Sequence, residues 1–271
     1  MKPVDKVLFE LRGHTALLTL NDPDRRNALS REIVRGLFSA LERSLQAGAR
    51  AIVLAAEGSA FCAGANIDDL RDGWMEGKDP DEDPALLFRR LWQLDLPVIA
   101  AVHGPALGGG MELLLACDLA VASDAAWFAM PELGHGVIPN SAVALLPRTV
   151  GWRQAMDLVL TRRRVSAVEA QALGLVNRLV STEAVLEAAL ELAEDIVGRA
   201  PPGALAAAKA NLRAHSPVAW ERVLAAPLDV PRSEWQEGLD AFTERRPASF
   251  ERFWTSIAER SAAVNSKEAG T

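Results

Sequence analysis

Two glutamates, Glu112 and Glu132, stand twenty residues apart in surroundings that do not favour charge. Glu112 lies in Gly-Gly-Gly-Met-Glu-Leu-Leu-Leu-Ala (108–116). Glu132 lies in Pro-Glu-Leu-Gly-His-Gly (131–136), just after an apolar run. A carboxylate among apolar and glycine neighbours is costly unless paired or used, and burial raises its pKa toward values suited to proton transfer. Each also has a plain structural reading: a first-turn Glu complements a helix dipole, and a Glu after a strand can be exposed. The two together point to general acid–base chemistry.

Two small-residue junctions accompany them. Ala60-Phe61-Cys62-Ala63-Gly64-Ala65-Asn66-Ile67 and Ala106-Leu107-Gly108-Gly109-Gly110-Met111-Glu112 each follow a strand-like run and precede a helix start. Backbone N–H groups at such starts lack intrahelical partners, and small side chains let a ligand oxygen approach them. Donors from two junctions converging on one oxygen would form an oxyanion hole. Other readings stay open. The first junction serves equally as a tight connection with Gly64 at positive φ. The second partly matches a dinucleotide fingerprint, with an acid (Glu132) at the right distance, but Leu113 stands where its third glycine belongs. Cys62 and Cys117, outside any CxxC spacing, read as reduced thiols of a cytoplasm-like compartment rather than zinc ligands. His103 and His135 have no metal-ligand spacing and read as structural, and no G-x-S-x-G motif supports a serine hydrolase.

The elements that must carry these groups read as a strand–helix alternation. Runs 7–11 and 15–20 flank Gly13 as a hairpin; Ser30 caps a helix whose apolar positions run from Ile33 to Leu45, with Gly48 at its C′ position. Runs 50–55, 97–102, 119–122 and 127–130 are continuous apolar stretches, as strands covered on both faces require, and 108–117 is a glycine-opened helix. From about residue 153 the strand signal fades into helices at 153–160, 167–173, 183–199, 203–215 and 233–245. The architecture is therefore α/β, a mostly parallel sheet followed by a helical C-terminal region.

With 271 residues, 36 acids against 29 bases and a net charge of −7, the chain has no basic surface broad enough for nucleic acid. Between Asp68 and Asp83, eight acids face only Arg71 and Lys78, a stretch that reads as a solvated, mobile loop or lid. The run 94–122 is too interrupted by Pro, Gly and charge to span a membrane; the start lacks signal-peptide character and the end lacks a peroxisomal tripeptide.

The ordered motifs DRRNALS (24–30), FCAGANI (61–67), VHGPALGGGMELLLACD (102–118), FAMPELGHGVIP (128–139), RRVSAVEAQALGLVNRLV (163–180) and SEWQEGLDAFTERRPASF (233–250) resemble the enoyl-CoA hydratase/isomerase (crotonase) family, over about residues 7–254. The resemblance implies a crotonase spiral of ββα units over 1–200 and a helical trimerisation region over 201–271, assembled as a homotrimer or dimer of trimers. It implies a coenzyme A thioester substrate, no metal and no redox cofactor. The N–H groups of Ala65 and Gly109 would hold the thioester carbonyl, Glu112 would activate water, and Glu132 would protonate the α-carbon. Arg25, Arg26 and Ala28 would line the CoA phosphate and pantetheine region, Ala63 and Ile67 the part that receives the adenine, and Ala65 and Asn66 would also bind the coenzyme. Asn66 departs from the family's usual Asp, and Asn140-Ser141-Ala142-Val143 from its glycine-rich stretch. The expected reaction is syn hydration of a trans-2-enoyl-CoA. Its rivals are Δ3-Δ2 isomerisation or another crotonase-type lyase reaction, and non-catalytic acyl-CoA binding.

Overall fold

Strands rich in Val, Leu and Ile on both faces need cover on both, and the sheet of this chain has it. The computed structural model describes residues 5–74, 79–225 and 230–253. Expectations resting on residues 1–4, on Glu76 and Lys78, or on 226–229 and 254–271 of the C-terminal region lie outside the described residues. Val7–Arg12 (β1) and Thr15–Leu20 (β2) form the antiparallel hairpin about Gly13, and Arg31–Gln46 (α1) follows, its first turn closed by Ser30 Oγ accepting from the Ile33 N–H. Ala51–Ala56 (β3) leads to Ile67–Arg71 (α2) and Pro84–Gln93 (α3); Val98–Val102 (β4) and Ala106–Leu107 (β5) lead to Gly109–Leu115 (α4). Leu119–Ser123 (β6) and Trp127–Ala129 (β7) precede Ala142–Val150 (α5) and Trp152–Thr161 (α6). Val165–Ser166 (β8), Ala167–Ala172 (α7) and Arg178–Val180 (β9) come next. Val185–Arg199 (α8), Pro202–His215 (α9), Trp220–Ala225 (α10) and Arg232–Thr243 (α11) follow.

The large sheet has the order β1-β2-β3-β4-β6-β9, parallel except for the hairpin. Leu17, Val53, Ile99 and Val121 face α8, against Ala189, Leu190 and Ala193. The alternate residues Leu18, Leu54, Ala100 and Ala122 face the main core with α1, α3 and α4. Period-two alternation thus divides each apolar strand between two cores.

A second, smaller layer runs across the crossovers. Cys62 bridges Ala106, Ala106 pairs with Phe128, and Phe128 pairs with Val165, so β5, β7 and β8 form a three-stranded sheet extended by Cys62. Cys62, β5 and β7 each follow a strand of the large sheet (β3, β4 and β6), whereas β8 precedes β9.

Three expectations change. Strands continue beyond residue 153: β8 joins the small sheet, and β9 closes the edge of the large one, with Asn177 Oδ1 accepting from the Ala120 N–H and the Asn177 N–H donating to Ala120 O. Strands of two or three residues leave no periodic trace between helices. Second, the acidic stretch, read as a solvated, mobile loop or lid, is docked in part, while Asp68, Asp72, Asp79 and Asp81 stay exposed. Arg31 pairs with Asp69 and Glu82, Arg35 pairs with Glu82, Asp83 caps α3, and buried Trp74 donates from Nε1 to Glu82 O at 2.8 Å. Third, α3, α5 and α10 are helices that the sequence pattern had not marked.

Among the described residues no helix is long and apolar enough to cross a membrane.

The turn between β2 and α1 hangs on one buried side chain. Asn27 has φ +53; its Oδ1 accepts from the Asp22 N–H at 2.8 Å, and its Nδ2 donates to Glu57 O at 2.8 Å and Ala60 O at 2.9 Å. Asn27→Ala leaves three backbone groups without this partner, two of them on the buried residues Asp22 and Ala60, and puts alanine in a left-handed conformation. It should cost about 2–4 kcal/mol, read from urea unfolding, whereas Ser30→Ala, at a less deeply buried position that makes one capping bond, should cost about 1 kcal/mol.

Candidate active site

Register in the small layer brings the chemistry-bearing junctions together. Cys62, Ala106 and Phe128 lie side by side, so chain stretches a few residues further on, at Ala65, Gly109 and Glu132, emerge at the same edge. Glu112 follows one turn into α4. Leu29 bridges Ala65 in the same sense, the Leu29 N–H donating to Gly64 O and the Asn66 N–H to Leu29 O, both at 2.7 Å. Extended backbone alternates its N–H directions, so the Ala65 N–H points away from Leu29. Gly109 begins α4 and presents an N–H that the helix cannot satisfy. Neither N–H has an acceptor among the described residues. The two backbones nearly touch: a Cβ added at Gly109 would sit 3.6 Å from the Ala65 nitrogen. At Gly110 an added Cβ would meet Cys62 O at 2.3 Å, so only glycine lets α4 start so close to the first junction.

The two glutamates face one cavity of about 1040 Å³, which also meets Ala65 and Gly109. Glu112 is buried, and its Oε1 accepts from the N–H groups of Ser141 (2.7 Å) and Ala142 (3.0 Å) at the start of α5. A helix N-terminus favours the charged carboxylate. Burial nevertheless dominates and pushes the Glu112 carboxyl up to about 7, the two amides offsetting part of the shift. Glu132 has no such cradle: both oxygens are enclosed without a hydrogen-bond partner among the described residues. Burial, and then the charge of Glu112, push it up to about 8. The carboxyl lies against Gly108, where an added Cβ would meet Oε1 at 2.7 Å and where φ is +52. Its loop is seated by α11: a Cβ on Gly136 would meet Glu234 O at 2.5 Å, and one on Gly238 would meet His135 O at 1.9 Å.

The cavity runs outward past Arg25, Arg26, Ala28, Ala63, Asn66 and Ile67, so every expected binding residue lines it. Asn66 has a second task, its Oδ1 capping α2 by accepting from the Asp68 and Asp69 N–H groups. Arg25 is exposed and pairs with Asp68 at 3.4 Å. His103 is structural as expected, bonded to Gly58 O, but His135 lines the cavity, edge-on to Phe242. Sequence reasoning missed the Ser141 and Ala142 amides, Asn140, and the wall formed by Leu239 and Phe242 of α11. The departure after Pro139 was the available signal for Asn140; nothing local marked α11 as part of the same chamber. Chemically, the chamber offers two amide donors for an oxyanion, a carboxyl shifted to near neutrality, and a second held protonated beyond it.

A family model described as enoyl-CoA hydratase/isomerase matches residues 10–253. The chain is 39% identical over 250 residues to a putative enoyl-CoA hydratase of Thermus thermophilus, covering 88% of this chain and 98% of the relative. It is 38% identical over 257 residues to a probable enoyl-CoA hydratase of Rhizobium meliloti, covering 91% and 98%. Among solved structures it resembles a carnitinyl-CoA hydratase from Mycobacterium avium, with a TM-score of 0.82 and 33% identity over 91% of this chain and 98% of that one. The fold is the crotonase fold, with its C-terminal helices present.

The raised carboxyl of Glu132 has a stability consequence of definite sign. The folded protein holds that proton at pH values where the unfolded chain, near 4.5, has released it, so stability falls as pH rises from about 4.5 to about 8. Glu132→Gln removes this loss. Its melting temperature should match the wild type at pH 4.5 and exceed it by a few degrees at pH 8.5, measured by calorimetry across that range.

Proposed function

The chain belongs to the enoyl-CoA hydratase/isomerase family, and from that premise we propose that it adds water syn across the double bond of a trans-2-enoyl-CoA, giving a 3-hydroxyacyl-CoA. The observation that carries this reading is the unequal pair of carboxyls in one chamber. Glu112, cradled by two amides, is the more easily ionised and takes the proton of the attacking water; Glu132, enclosed without donors, keeps a proton to deliver to the α-carbon. The thioester carbonyl would lie between the Ala65 and Gly109 N–H groups, where negative charge grows as the enolate-like species forms. Each such donor is worth about 3–4 kcal/mol of transition-state stabilisation. Acids and amides suffice for these steps, and the reading invokes no metal or redox cofactor.

Arg25, Arg26 and Ala28 would line the CoA phosphate and pantetheine region, Ala63 and Ile67 the part that receives the adenine, and Ala65 and Asn66 would also bind the coenzyme. The reading includes a cytoplasmic setting, supported by two free cysteines, Cys62 and Cys117, both with thiol pKa values raised by burial. It also includes self-association as a trimer or dimer of trimers. Exposed Trp152, Met156 and Leu160, one helical turn apart along α6, support burial against another copy. Trp152→Glu should lower the mass found by light scattering toward that of a single chain; an unchanged mass would remove α6 from the interface.

Glu112→Gln and Glu132→Gln should each lower kcat by about 10²–10⁴, with the dissociation constant of a saturated acyl-CoA within a few-fold of wild type. Hydration unchanged in either variant would falsify the assignment. Loss confined to Glu132→Gln, together with retained Δ3-Δ2 isomerisation, would favour the isomerase instead. Because one carboxyl must be ionised and the other protonated, the wild-type rate should be bell-shaped in pH, with macroscopic limbs near 7 and 8 that belong to the pair.

A further inference from the structure

We propose that Asn140 selects the acyl group, and that the group it selects carries a hydroxyl rather than a plain alkyl chain. The inference rests on the thioester reading of the same cavity. Asn140 lines that cavity at the glutamate end, directly before the Ser141 and Ala142 amides that hold Glu112. Its Oδ1 is buried without a hydrogen-bond partner, and neither end of its carboxamide bonds to any described residue. Ser141 Oγ, next in the chain, is likewise unpartnered but does not line the cavity.

The usual structural reasons for asparagine in a loop are absent. Asparagine recurs in loops because it tolerates left-handed backbone or caps a helix. Asn140 is not among the positive-φ residues, and it caps nothing: the N-cap of α5 is Ser141, with no side-chain cap bond. The proposed hydration leaves it unemployed too, since Glu112 and Glu132 hold the proton-transfer roles.

Most of the surrounding wall is apolar, with Val137, Ile138, Val223, Leu239 and Phe242 lining the chamber beside His135 and Thr243. An alkyl chain filling such a wall would expel water and cover the carboxamide, stranding a buried acceptor. A hydroxyl would satisfy it, and because a hydroxyl both donates and accepts, either orientation of the amide serves. Stranding against satisfaction is worth roughly a tenfold to hundredfold preference. A carboxylate substituent only accepts, so it could pair with Nδ2 but would leave Oδ1 without a donor.

The test pairs saturated thioesters that cannot react, butyryl-CoA with 4-hydroxybutyryl-CoA and hexanoyl-CoA with 6-hydroxyhexanoyl-CoA, titrated calorimetrically. Wild type should bind the hydroxylated member of at least one pair about tenfold more tightly. Asn140→Leu and Asn140→Ala should bring that ratio to one or below, with melting curves establishing that both variants are folded. Equal binding of both members by wild type in both pairs, or a ratio unchanged in the variants, overturns the proposal. Hydration of the corresponding 2-enoyl-CoA pairs separates the remaining cases. A kcat/KM preference that inverts in Asn140→Leu supports selection. An equal fall in kcat on both esters, with the binding ratio kept, makes Asn140 a holder of water and overturns it. A binding ratio that behaves as expected beside no hydration of any ester leaves the selection standing and defeats the hydratase reading.

Discussion

The structure depends on lateral pairing in its smaller layer, where Cys62, Ala106 and Phe128 stand in one row. These residues hold no chemistry, yet their alignment decides where three successive crossovers end. A shift of one residue in any of these pairings would turn its strand's side chains to the opposite face and displace Ala65, Gly109 or Glu132 from the common edge. The small residues beside them serve the same constraint. Gly110 lets α4 begin against Cys62 O, and Gly109 lets its own backbone approach Ala65. Two amides without acceptors among the described residues therefore lie close together as a result of close packing between crossovers.

Against that rigid frame the two carboxyls are differentiated by what the backbone offers each. Glu112 projects from α4 to the first amides of α5, so its burial is partly compensated. Glu132 projects from a loop without a hydrogen-bond partner among the described residues, beside a neighbour of the same charge. The difference needs no unusual side chains; it arises because one carboxyl meets a helix start and the other does not. A mechanism with one base and one acid requires this asymmetry, and a symmetric pair would have to share a single proton between equivalent sites.

Much of this was legible in residue order, and the reason is local. Ser30, Gly48, the continuous apolar strands and the glycine-rich junctions act through neighbours a few residues away, so pattern suffices to place them. What escaped the pattern depends on partners remote in sequence. β9 is three residues long and is defined by its pairing with β6 and by the Asn177–Ala120 exchange. The acids of 68–83 look solvated until Arg31 and Arg35 of α1 are set opposite them. The cradle of Glu112 lies nearly thirty residues downstream, in a helix whose internal Pro147 disguises it. Asn140 was visible as a departure from the glycine-rich norm of the resemblance, while the orphaned state of its carboxamide emerges only from three-dimensional packing.

The seating of the Glu132 loop by Gly136 and Gly238 has a temporal consequence. During synthesis the large sheet acquires its first four strands, β1 to β4, and both amide donors well before residue 120, but the groove that receives residues 132–136 has no floor until residues 234–238 have been made. A nascent chain thus holds the strands that carry its amides more than a hundred residues before it holds the floor that seats the second carboxyl.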